Sequence, residues 1–201
     1  MAHFTEFLIS LGYTGLFAVV FAESGLLIGF FFPGDSLLFT AGLLASQGTL
    51  NITVVVLGSV IAAIAGDSVG YAFGRRIGPR LFQREDSRFF KHSHLERAHA
   101  FYERHGGKTL ILARFIPVVR TFAPIVAGIG QMKYRAFLSY NVVGGLLWAV
   151  GLPVLGYQLG ERIPNIDRYI FPILAVIVVA SVLPPMWHVW RERRAHKNTG
   201  I

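Results

Sequence analysis

Four ionisable side chains interrupt stretches that are otherwise apolar enough for a lipid bilayer: Glu23 and Asp35 in the first third of the chain, Arg114 and Arg120 in the second half. A charge at bilayer depth costs at least ~2.5–3.5 kcal/mol on insertion scales, so it is kept for a partner or a task. The residue types say which task to test first. A guanidinium stays charged and offers a planar fork of donors that grips phosphate in bidentate fashion, which makes Arg114 and Arg120 candidate phosphate ligands. A carboxyl group responds in opposite senses to burial and to a neighbouring guanidinium, so Glu23 and Asp35 are candidate proton carriers whose charge follows conformation. The plainer alternative is that the two arginines pair with the two acids and only hold the chain together. Asp67, in a glycine-rich stretch, either joins the acids or caps a backbone break.

The chain around these charges has the composition of a membrane protein. It has 201 residues, 53% of them hydrophobic and 15% charged, against about a quarter charged in ordinary soluble domains. Its mean hydropathy is +0.53. The absence of cysteine excludes disulfides, thiolate metal sites and thiol nucleophiles. The first residues, MAHFTEFLISLGYTG, carry no Lys or Arg and lead to no cleavage signature, so the first apolar run is expected to stay in the mature protein.

Charge sets orientation. Arg75 to Lys108 holds nine Lys or Arg against four acids, and the tail adds Arg191, Arg193, Arg194 and Lys197. Both regions belong on the cytoplasmic side, which leaves the uncharged link Ser46 to Asn51 and the balanced stretch Glu161 to Arg168 outside. About 20 apolar residues make a spanning helix, and this places spans at 52–73, 137–159 and 169–190. The expected organisation is one polytopic domain over 1–190, with a basic amphipathic loop at 75–108 and a basic cytoplasmic tail at 191–201.

Two segments resist that scheme. Residues 13–46 are too long for one helix and are broken around Pro33 and Gly34, while 109–130 carries Pro117, Pro124, Gly128 and Gly130. Proline removes a backbone donor and glycine weakens a helix, so each segment is predicted to be a re-entrant hairpin. The second is flanked by Arg104 and Lys108 before it and Lys133 and Arg135 after it, which a hairpin satisfies and a crossing does not. For the first, Leu16 to Phe32 could instead cross the whole bilayer. The halves then form two inverted repeats, each a broken-helix hairpin plus a spanning helix, followed by one extra C-terminal span. Ala41-Gly42 corresponds to Ala127-Gly128, and Gly74-x3-Gly78 to Gly156-x3-Gly160. Such all-α repeats with broken helices are common in secondary transporters, whose sites lie near the midplane where the breaks meet. Arg114 and Arg120 are six residues apart, off one helix face, but a bend at Pro117 would let them converge, and nearby half-helix N-termini would add backbone donors.

Glu23-Ser-Gly with Pro33-Gly34-Asp35, Gly66-Asp67-x2-Gly70-Tyr71-x2-Gly74-Arg75, Phe101-x3-His105-Gly106, Arg114-Phe-x-Pro117-x2-Arg120-x3-Pro124-x2-Ala127-Gly128 and Asn141-x2-Gly144-x3-Trp148 follow one another in order. Together they resemble the DedA family of bacterial membrane proteins over most of the chain, with no departure at the charged positions. The family is similar to eukaryotic lipid scramblases with two facing re-entrant loops. The resemblance implies a multi-pass protein of the bacterial cytoplasmic membrane, with a cytoplasmic C-terminus, that acts as a flippase. Its implied cargo is undecaprenyl phosphate or a similar anionic phospholipid, moved in dependence on the proton motive force to support the cell envelope.

The remaining features fit simpler roles. Gly66, Gly70, Gly74 and Gly78 form a small-residue face for close helix approach, compatible with a homodimer but equally needed inside one bundle. Asn141, Gly144 and Trp148 are read as one packing face. His92, His94, His99 and His105 lack cysteine or an H-E-x-x-H pattern and fit an interfacial helix better than a metal site. No cofactor is called for, and the basic residues suit an anionic membrane surface rather than nucleic acid. No His lies in either break, and Ser24, Ser36 and Thr121 have no base beside them in sequence, which disfavours a lipid phosphatase. A proton or cation antiporter remains the second alternative to lipid transport.

Overall fold

The computed structural model describes residues 2–26, 34–82 and 107–162, and among these there are helices and short turns but no strand. The helices are α1 (Ala2–Gly25), α2 (Gly34–Ser46), α3 (Ile52–Phe82), α4 (Lys108–Ala113), α5 (Pro117–Ile129) and α6 (Tyr134–Arg162). The all-α class expected from the sequence is therefore observed. Pro33, most of the basic loop with its four histidines, the third expected span at 169–190 and the tail at 191–201 lie outside the described residues.

α3 has 31 residues and α6 has 29, roughly 46 and 43 Å of helix against a hydrocarbon core of ~30 Å. Both are long and apolar enough to cross a membrane. Leu57 and Ile61 on α3 and Leu147 and Leu155 on α6 are each more than half exposed, a distribution suited to lipid rather than water. α3 does not end at Phe73 as expected but runs on to Phe82. The extension is supported from the side, because Gly74 and Gly78 lie against the backbone of Ile125 and Ile129 in α5. Arg75 is therefore helical, and its Nη1 donates to the Tyr71 hydroxyl at 3.3 Å, which in turn donates to the Met132 carbonyl.

The short helices pack crosswise. α2 lies along α6 and α5 along α3, while α1 packs on α3 and α4 on α6. Each crossing is made by glycine. Gly42 of α2 abuts the Pro153 backbone and Gly156 of α6 abuts the Phe39 carbonyl; in the same way Gly128 of α5 abuts the Tyr71 carbonyl and Gly74 of α3 that of Ile125. A β-carbon at any of these four would overlap backbone. The expected glycine face on α3 is thus engaged within the chain, Gly66 against Phe21 and Ser24 of α1 and Gly70 to Gly78 against α5.

Both crossing helices end alike. α2 closes with Gly48 N–H to Ala45 C=O and Thr49 N–H to Leu44 C=O; α5 closes with Gln131 N–H to Gly128 C=O and Met132 N–H to Ala127 C=O. These are Schellman closures, with Gly48 and Gln131 at φ of 75° and 54°. Asn51 then caps α3, its Oδ1 accepting from the Thr53 N–H at 2.9 Å and the Val54 N–H at 3.3 Å.

Of the residues read from sequence as hairpin breaks, Pro124 lies within a helix, whereas Gly34 starts one as Pro117 does. Gly34 is the first residue of α2, and what its missing β-carbon provides is room for the Glu23 carboxylate, which occupies that space. Pro124 lies inside α5, which continues through it. Proline denies a hydrogen bond to one carbonyl and crowds it, yet α5 is held along α3 by the Gly70, Gly74 and Gly78 contacts on either side. The break in the second segment is Arg114 to Ile116, where Phe115 and Ile116 N–H groups reach back only three residues. Ile116 is extended (φ −112°, ψ 108°) and Pro117 starts α5, as expected of a residue before proline and of proline at a helix start.

Candidate functional site

Because the backbone turns between α4 and α5, Arg114 stands at the C-terminal cap of α4 and Arg120 in the first turn of α5, and both side chains enter the same interior region. Asp67 is the central residue of α3 and Trp148 the central residue of α6, so the site lies at mid-length of the two long helices. Glu23 comes from the end of α1 and Asp35 from the start of α2. All six side chains named here are buried, except that of Asp35, which is 44% exposed.

The charges pair in two groups. Arg120 Nη2 bonds Glu23 Oε1, and its Nη1 donates to Asp35 Oδ1 at 2.7 Å. The two acids of the first segment thus converge on a single arginine. Arg114 takes the third acid: its Nη1 donates to Asp67 Oδ2 at 2.5 Å and to Asn141 Oδ1 at 2.8 Å. Asn141 Nδ2 donates onward to the Ile64 carbonyl of α3 at 3.2 Å. Asp67 thus pairs with Arg114, apart from the Glu23 and Asp35 carboxylates at Arg120.

Trp148 joins the groups, a connection that sequence reading missed by treating it as packing. Its Nε1 donates to Asp35 Oδ1 at 2.6 Å. The guanidinium carbons of Arg120 and Arg114 lie 4.6 and 5.7 Å from its ring centroid, within the ~6 Å range of cation–π attraction. The signal was the seven-residue spacing from Asn141, two helical turns on one face.

This is a costly arrangement to leave incomplete. Desolvating each ion costs several kcal/mol, recovered only where pairing and hydrogen bonding are good. Three carboxylates against two guanidiniums leave one formal negative charge when all are ionised. Yet donor capacity is left over: Arg114 Nε and Nη2 and Arg120 Nε are buried without a hydrogen-bond partner, as is Asp67 Oδ1. Asp67, Arg114, Arg120, Pro124, Phe137 and Asn141 also bound a cavity with room for about one water molecule. The arrangement can therefore do two things: donate to an additional anion and hold or release protons. Among the described residues no trio of His, Asp or Glu is grouped to bind a metal ion.

Residues 32–158 match the VTT domain. The chain is 49% identical over 185 residues to Protein DedA of Escherichia coli K12, covering 91% of this chain and 84% of that protein. The chain belongs to the DedA family. Other relatives are an uncharacterized membrane protein of Mycobacterium leprae, 45% identical over 181 residues (90% of this chain, 81% of the relative), and the inner membrane protein YqjA of Escherichia coli K12, 36% identical over 177 residues (88% and 80%). No solved structure matches. Membership makes this chain a bacterial membrane protein, and none of these relatives bears the name of an enzyme.

Proposed function

We propose that the protein is a flippase that moves undecaprenyl phosphate, or a similar anionic lipid, across the cytoplasmic membrane, with movement linked to the proton motive force and serving envelope synthesis. The observation that carries this reading is a pair of buried arginines with unused donors, one of whose counter-ions, Asp35, is 44% exposed while the others, Glu23 and Asp67, are buried. An arriving phosphate displaces Asp35 from Arg120 and takes the unfilled Arg114 and Arg120 donors. The site already carries excess negative charge, so accepting a further anion at mid-membrane is favoured when one of Glu23, Asp35 or Asp67 takes up a proton. That requirement ties lipid movement to the proton gradient.

In this reading residues 13–46 and 109–130 are facing re-entrant hairpins of two inverted repeats, and the C-terminus is cytoplasmic. The crosswise glycine contacts, made twice with equivalent partners, support it. Pro117 and Gly34 act in it by starting the inner arms of the hairpins.

Reconstituted liposomes test the proposal. A fluorescent polyprenyl phosphate placed in one leaflet is expected to equilibrate faster with the protein than without, and faster still under a pH gradient. Arg120→Ala liposomes should behave as empty ones. Release of inorganic phosphate would make the protein a phosphatase; proton movement without lipid would make it an antiporter. Either result overturns the flippase reading.

A further inference from the structure

We infer that Trp148 is itself a ligand of the anionic headgroup, and that Asp35 is a tethered stand-in holding the headgroup's place. The inference rests on the anion-binding reading above. It begins with one atom: Asp35 Oδ1 accepts from Arg120 Nη1 at 2.7 Å and from Trp148 Nε1 at 2.6 Å. Two donors from different helices thus converge on a single anionic oxygen, which is how an oxygen of a phosphate monoester would be held.

The indole is fixed independently of Asp35. Trp148 is 3% exposed, and its ring lies against both guanidiniums. If Asp35 swings out, Trp148 does not follow, and its N–H, which can only donate, is left buried without an acceptor. The anion that takes over Arg120 Nη1 arrives within reach of that N–H and satisfies it. Glu23 cannot leave in the same way, being 3% exposed and seated where Gly34 has no side chain. Exchange is thereby confined to Asp35. A neutral alcohol offers neither the charge for Arg120 nor the compensation for displacing a carboxylate, so the site selects lipids with an unesterified anionic oxygen.

The test separates a Trp148 that binds the headgroup from one that merely holds Asp35. Equilibrium binding of farnesyl monophosphate to detergent-solubilised full-length protein is measured for wild type, Asp35→Ala, Trp148→Phe and the double variant, with farnesol as control. Asp35→Ala is expected to bind the phosphate more tightly than wild type, since the stand-in is gone. Trp148→Phe is expected to weaken binding by about tenfold or more, the loss for one hydrogen bond to an ionised acceptor, and to do so in the Asp35→Ala background as well. If Trp148→Phe has no effect once Asp35 is absent, Trp148 serves only to hold Asp35 and the inference is wrong. If wild type and Asp35→Ala both fail to bind the phosphate, the anion-binding reading itself fails.

A second measurement does not depend on Trp148→Phe folding. The chain has three tryptophans, so changing Trp187 and Trp190 to Phe leaves one indole N–H resonance in 15N-labelled protein. That resonance is expected to shift saturably with farnesyl monophosphate and not with farnesol. Saturable binding with an unmoved indole signal would overturn the assignment.

Discussion

Arg120→Gln is the most informative single perturbation, because its two counter-ions sit in different environments. Arg120 and Glu23 are 4% and 3% exposed, whereas Asp35 is 44% exposed. Removing the guanidinium leaves the Glu23 carboxylate buried and unpaired, a loss expected to reach ~3–5 kcal/mol. Asp35 is less confined and the amide oxygen of its variant still accepts from Arg120 and Trp148, so Asp35→Asn should cost no more than ~1 kcal/mol. In Glu23→Gln/Arg120→Gln the charges disappear together and two amides can hydrogen bond, leaving a net cost of about 1 kcal/mol or less and a coupling energy of about 2–4 kcal/mol. Reversible unfolding in mixed micelles, followed by circular dichroism over the complete double-mutant cycle, measures these terms. The double variant should regain stability yet show no lipid movement, which isolates the functional role of Arg120 from its structural one. A coupling energy below ~0.5 kcal/mol, the additivity limit for independent sites, would refute the buried-pair argument, as would Asp35→Asn proving as harmful as Arg120→Gln.

Three further outcomes are expected. Asn141→Ala removes the 2.8 Å acceptor of Arg114 and should lower stability in the same unfolding assay by ~1.5–3 kcal/mol, with Asp67→Ala more damaging than Asp67→Asn because the amide oxygen still accepts. Gly42→Val and Gly128→Val force side chains into the backbone of Pro153 and Tyr71 and should destabilise by at least ~1–3 kcal/mol, seen as lower melting temperature and early aggregation on gel filtration. Gly151→Val, where a β-carbon meets nothing within 4 Å, should be silent in both measurements. Calorimetry of farnesyl monophosphate binding in buffers of different ionisation enthalpy should show net proton uptake and tighter binding at lower pH; proton release would contradict the charge balance of the site.

The site was legible where chemistry alone marks a residue. Glu23, Asp35, Arg114 and Arg120 stand out because a charge in an apolar run is expensive wherever the backbone goes, and the structure brings three of them together at Arg120. The partner of Arg114 was less legible: Asp67 and Asn141 reach it from two other helices, a choice made by tertiary packing that spacing along one segment does not encode. Trp148 was passed over for a related reason, since a tryptophan among glycines is as good a core residue as a ligand. Helix limits failed where glycine and proline were treated as local breakers. Pro124 stays helical and α3 passes Gly74 and Gly78 because each such weak point is braced by a neighbouring helix, and bracing is a non-local property.

The crosswise packing also divides the molecule into parts that are not its sequence halves. α1, α3 and α5 form one set, and α2, α4 and α6 the other, the two joined along α3 and α6; among the described residues the chain passes between them at the Gly48 and Gln131 turns, both in the left-handed region, and at the Arg114 to Ile116 bend. Glu23 with Arg120 lies wholly within the first set, and Arg114 with Asn141 and Asp35 with Trp148 within the second. Arg120 to Asp35, Arg114 to Asp67, Asn141 to the Ile64 carbonyl and Arg120 over Trp148 bridge the two. Separating one set from the other would therefore open both ionic contacts and the Asn141 to Ile64 bond together, while Arg120 keeps Glu23 and Arg114 keeps the Asn141 oxygen.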